Sequence, residues 1–211
     1  MTSPRSSSPE EVLAFWFPPP ERMAARDDIL RQIAWWFRGG ADPEILARFP
    51  ATLEEAARGA LDGWAAGARS RLALIVVLDQ FSRTIHRGTP ATYAQDARAL
   101  SLAVEGLDAG LLAQLATPWE KTFFILPLGH SEVLAYQERS VAVAEELAAT
   151  AAPAQRELLA FSASQARGHR DTIARFGRHP HRNEILGRVS TADELAFLAA
   201  GEVVHTRPLP K

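Results

Sequence analysis

Three polar clusters interrupt a chain that is otherwise apolar and patterned for helices. The first runs Asp79-Gln80-Phe81-Ser82-Arg83 and on to His86-Arg87-Gly88. The second is His130-Ser131-Glu132, and the third extends from Ala174-Arg175-Phe176-Gly177-Arg178 through His179-Pro180-His181-Arg182-Asn183. Arg grips carboxylate or phosphate through a planar fork. His beside a carboxylate moves protons near neutral pH. Gathered in one cleft, such groups would bind a small anion and could act on it.

Each cluster also has a purely structural reading. Asp79 and Arg83 are four apart on one helix, as are Arg83 and Arg87. The apolar run Leu72 to Leu78 leads straight into Asp79, so its charge must be paired or meet a ligand. An internal salt bridge locking two helices satisfies that demand. Arg87, beside Gly88, is better placed to face a pocket. In the second cluster, Pro127 and Gly129 predict a break, after which His130 and Ser131 open the next helix. A helix start offers free N–H groups to an anion. His130 and Glu132 are two apart and point to different sides, which argues against a metal pair on one helix. In the third, Arg167, Asp171, Arg175 and Arg178 form one stripe at spacings of four, four and three, where Asp171 can pair with Arg on either side. Gly177 and Pro180 then end the helix and present His181, Arg182 and Asn183 on a loop.

The candidate catalytic groups are His130, Glu132 and His181. The candidate ligand-binding groups are Asp79, Arg83, Arg87, Ser131, Arg178, Arg182 and Asn183. No metal and no cofactor is implied. His169-Arg170-Asp171 matches a kinase triplet only by chance, inside a long helix and without a Gly-rich loop.

The elements that must hold these groups are all helical. Ser8-Pro9-Glu10-Glu11 and Thr117-Pro118-Trp119-Glu120 are helix starts, and Thr52 with Glu55 and Thr191 with Glu194 are further capping boxes. Ala, Leu, Glu, Gln and Arg fill the stretches between, and strand-type alternation is missing. The pattern predicts helices near 9–17, 22–38, 43–49, 51–67, 70–86, 90–108, 118–127, 130–149, 153–176 and 191–200. Short linkers suit stacked antiparallel pairs. One domain over 1–211 is expected, with irregular ends at 1–8 and 203–211. Trp16, Trp35, Trp36, Trp64 and Trp119 read as core.

Composition narrows the classes. The 211 residues are 47% hydrophobic and carry a net charge of −2, which gives no support to nucleic acid or membrane as a partner. Charge is local: Gln165 to Arg188 holds six Arg and three His against Asp171 and Glu184. The absence of Cys removes disulfides and thiol chemistry. Met1 to Pro9 lacks an apolar signal core, and the chain reads as cytoplasmic.

Three blocks carry a resemblance. They are Asp79-Gln80-Phe81-x-Arg83 with Arg87-Gly88-Thr89-Pro90; Leu126-Pro127-Leu128-x-His130-Ser131-Glu132 with Gln137-Glu138-Arg139-Ser140; and His169-Arg170-Asp171 with Ala174 to Arg178 and Pro180 to Asn183. In this order, with Val12-Leu13-x-Phe15-Trp16-Phe17 and Trp36-Phe37, they resemble the bacterial "domain of unknown function 924" family over nearly the whole chain. The resemblance implies an all-α fold similar to right-handed tetratricopeptide-repeat superhelices, and no established reaction. Thr84 stands where Asn is usual in that family, His86 where an aromatic is common, Gly129 where a larger apolar residue is common, and His179 where Phe is common.

Two functions fit. One is a small anionic ligand, carboxylate or phosphate, in a polar Arg/His/acid cleft with or without catalysis. The other is a helical scaffold whose basic loop grips an acidic peptide or partner protein.

Overall fold

The computed structural model describes residues 6–204 and 207–209. The expected irregular ends therefore lie in part outside the described residues. Ser8 caps the first helix in a reciprocal box with Glu11, the Ser7 N–H donates to Thr52 Oγ1 at 2.9 Å, and Val203 and Val204 are buried.

No strand occurs among the described residues. The chain forms two compact units, Met1–Pro127 and Leu128–Lys211. The first contains α1 (Pro9–Trp16), α2 (Arg26–Phe37), α3 (Asp42–Arg48), α4 (Pro50–Ala57), α5 (Ala68–Ile75), α6 (Ser82–Ile85) and α7 (Asp96–Asp108). Its centre is α5, where Leu72, Ala73, Leu74 and Ile75 are all buried, as an all-round apolar helix requires. An aromatic cluster packs against this core. Trp16 meets Phe81 and Phe123 edge-on at 5.5 and 5.4 Å, and Trp36 Nε1 donates to the Trp16 carbonyl at 2.8 Å.

The boundary between units falls within α8 (Pro118–His130), and the second unit continues with α9 (Leu134–Ala149), α10 (Pro153–Phe176) and α11 (Ala192–Ala199). α9 and α10 pack along each other as a helical pair. Gly177 ends α10 in the left-handed conformation at φ 68°, as its place in the sequence predicts. Among the described residues no helix is long and apolar enough to cross a membrane.

Five expectations need correction. The helix expected over 51–67 stops at Ala57, because Gly59 turns the chain at φ 86°. Thr52 is no cap; it lies inside α4, fully buried. The helix expected over 70–86 contains a π-helical turn at Val76–Phe81, and the one expected over 90–108 begins as a 3-10 turn at Pro90–Tyr93. The break expected at Pro127 is absent. A helix-interior proline costs about 3 kcal/mol, but burying a large apolar side chain returns roughly 1.5–3 kcal/mol, and Phe123, Phe124, Ile125 and Leu128 are all buried. α8 therefore runs on to His130, and α9 starts only at Leu134.

Candidate functional site

The first polar cluster belongs to the first unit. Asp79 sits in the π turn with 0% exposure, an uncommon backbone form that recurs at functional sites. Arg83 pairs with its carboxylate at 3.3 Å and with Asp96 at 2.8 Å, and also donates to the Asp79 carbonyl at 3.1 Å. Gln80 donates to Asp79 at 2.6 Å. This is an internal ion-pair network in which each charge has protein partners. Arg87 is exposed and donates to Asp42 at 2.7 Å, while Thr84 Oγ1 donates to the same carboxylate at 3.0 Å. Asp42 carried no signal in the sequence, because it lies forty-five residues from Arg87 at a helix start.

The second and third clusters meet in the second unit. Contrary to expectation, His130 does not open a helix; it ends α8. That end carries partial negative charge and free carbonyls, so it favours cations rather than an anion. Arg182 accordingly donates to the His130 carbonyl at 2.9 Å. Gln137 is buried and donates to the carbonyls of Gly129 and Ser131 at 2.7 and 2.6 Å. Ser131 Oγ accepts the Val133 N–H at 3.2 Å.

Glu132 accepts two hydrogen bonds from Arg188, at 2.8 and 3.1 Å, and the His179 N–H at 2.8 Å. Burial alone would raise its pKa. The bonds from Arg188 and His179, with the nearby charge of Arg182, outweigh this and hold it below the ordinary carboxylate value. Arg188 also donates to the His179 carbonyl at 3.0 Å. His179 is thus clamped at both backbone groups by one ion pair. It is 1% exposed, and among the described residues neither Nδ1 nor Nε2 has a hydrogen-bond partner. His169 lies edge-on to it at 5.6 Å, and His181 lies tilted to it at 5.4 Å. Burial, then the charges of Arg182, His169, His181 and His130, push its pKa far down, so the ring is neutral.

The remaining loop residues are fastened to α11. Arg178 grips Glu194 through two bonds of 2.6 and 2.7 Å and holds the Val189 carbonyl at 2.8 Å. Asn183 donates to Ser190 at 3.0 Å and to Glu194 at 3.3 Å, and accepts from Arg188 at 2.9 Å. Glu194 also closes its capping box with Thr191. The charged stripe of α10 pairs differently from its spacing: Asp171 bonds Arg170 at 2.7 Å, and Arg167 reaches Glu145 at 2.7 Å. Among the described residues no group of three or more His, Asp or Glu side chains is arranged to hold a metal ion.

The family described as "Bacterial protein of unknown function (DUF924)" matches residues 12–202. The chain belongs to this family. A solved structure, that of the protein of unknown function ATU0120 from Agrobacterium tumefaciens, is 33% identical and superposes with a TM-score of 0.72. The match covers 92% of this chain and 97% of that one. No curated protein matches. In this DUF924 chain the residues that sequence reasoning missed are His179, Arg188 and Glu194. His179 was set aside as a departure from the family pattern, and the other two lie outside the motif blocks.

Proposed function

We propose that this DUF924 protein binds a small oxyanion, a carboxylate or a phosphate, in its second unit beside His179. The observation that carries the reading is a buried imidazole whose two ring nitrogens lack partners. A buried polar group left unsatisfied costs about 1–3 kcal/mol, so such a group persists where a ligand, ion or water completes it. His179 is also held where it stands by Glu132 and Arg188 through its backbone. Its surroundings are cationic, because Arg182 lies 7% exposed within the same cluster. The half-buried His130, His169 and His181 are the way in. An anion arriving there meets imidazole donors and a guanidinium in a site shielded from water, where such contacts are strongest.

The buried neutral ring offers the anion one N–H donor, and Arg182 supplies the charge. If chemistry follows binding, His130 and His181 are the groups to exchange protons, while Glu132 acts as an ionised orienter. Calorimetric titration of the protein with inorganic phosphate and with acetate tests the reading. Saturable binding that is lost in His179→Phe supports it. Absence of binding by both anions, or binding unchanged in that variant, refutes it.

A further inference from the structure

A second feature of the same unit stands apart from the histidine cluster. A cavity of about 320 Å3 opens along α10, and its lining includes Asp171, Arg175, Phe197, Glu202 and Arg207; the Asp171 carboxylate is taken up by Arg170 at 2.7 Å. Arg175 rests on the Phe176 ring at 4.6 Å and reaches the Phe197 ring at 6.0 Å. Among the described residues it makes no hydrogen bond or ion pair, so its guanidinium edge is presented with its donors. Aromatic stacking fixes the plane of an Arg fork without consuming its N–H groups. Glu202 lines the same cavity and likewise has no partner among the described residues. Arg175 and Glu202 line one space without closing on each other.

One wall of the cavity exists because position 168 is glycine. A Cβ there would stand 2.9 Å from Val204 Cγ2 and 3.0 Å from Arg207 Nη1. The chain after α11 therefore lies directly on α10. Gln165 Nε2 secures it through the Val204 carbonyl at 3.2 Å, and Val203 and Val204 are buried beneath. That anchoring brings Glu202 and Arg207 into the same lining as Arg175. Thr172, also in the lining, has its hydroxyl engaged by the Gly168 carbonyl at 2.8 Å and so offers no competing donor.

We propose that this cavity binds a small zwitterion of the α-amino-acid type. Its carboxylate lies on the fork of Arg175, its ammonium meets Glu202, and an apolar side chain covers the Phe197 edge. A simple anion would leave Glu202 facing it with like charge, and a simple cation would meet Arg175 and Arg207. A molecule bearing both charges satisfies both walls. The volume falls within the range of small-ligand pockets, roughly 300–1,000 Å3.

The test is a thermal-shift screen of the full chain against the twenty L-amino acids, followed by calorimetry. L-leucine, leucine methyl ester and N-acetylleucine are the comparison probes, since each derivative lacks one charge. Leucine is expected to bind saturably, with each derivative weaker by roughly tenfold, the loss of one charge-assisted contact. Arg175→Gln should weaken leucine and N-acetylleucine alike. Glu202→Gln should weaken leucine but leave N-acetylleucine unchanged. His179→Phe should alter none of these, which separates this cavity from the histidine site. No binding across the twenty amino acids, or equal binding of leucine and both derivatives, overturns the proposal.

Discussion

The backbone N–H of His179 donates to Glu132 Oε1 at 2.8 Å, across forty-seven residues of chain. Arg188 closes the arrangement by bonding both Glu132 and the His179 carbonyl. The carboxylate thus fixes where the imidazole stands, and the ring is left with its own nitrogens unengaged.

Glu132→Ala removes the acceptor shared by these donors. Water reaches part of the pair, with side chains 23% and 30% exposed, so the loss is smaller than for a fully buried ion pair. Urea denaturation should show a destabilisation of roughly 1–3 kcal/mol. A change below a few tenths would mean that Arg188 finds an equivalent acceptor.

Asp79 presents the opposite case, a carboxylate with no access to water. Asp79→Ala leaves Arg83 with Asp96 as its carboxylate partner and the backbone carbonyl at position 79. The expected loss is about 3–5 kcal/mol, the usual result of removing one member of a buried pair. Circular dichroism on heating should report it. Near-wild-type melting would show that Asp96 alone neutralises Arg83.

Glu194 makes stability depend on acid. Its hydrogen bond from Arg178 leads the effects that hold its carboxyl at about 2, well below the ordinary 4.5; burial works against them, and bonds from Thr191 and Asn183 add to them. A lowered folded-state value means the contribution is present above about pH 4.5 and disappears as the pH falls toward 2. Unfolding midpoints measured across that interval should fall in the wild type. Glu194→Gln should flatten this part of the profile and lower stability at neutral pH.

Much of this fold was legible in the sequence. The capping boxes at Ser8 and Thr191, the Gly177 stop and the buried Trp16, Trp36 and Trp119 follow from local rules, and the structure has them where the residues stand, whereas Trp35 and Trp64, also expected in the core, are only half-buried. Legibility ended where tertiary packing overrode local preference. Pro127 reads as a breaker, yet the buried aromatic face of α8 carries the helix through it. That reverses the end of a helix on which His130 sits, and with it the sign of the local field. The pairings of Asp42 with Arg87, Arg188 with Glu132 and Glu194 with Arg178 could not be read, since they join residues far apart in the chain; Glu194 was legible only as the capping partner of Thr191. His179 was visible as a residue but not as an environment. Only the fold shows that its ring is buried while its nitrogens have no partners among the described residues.

The most direct measurement compares the wild type with His179→Phe, with and without inorganic phosphate, by thermal unfolding at pH 6 and 8. Without phosphate, removing two unsatisfied nitrogens should make the variant more stable, by roughly 1–3 kcal/mol. With phosphate, the wild type should gain stability at either pH, and the variant should gain none. A phosphate-dependent gain that survives in His179→Phe would contradict the account.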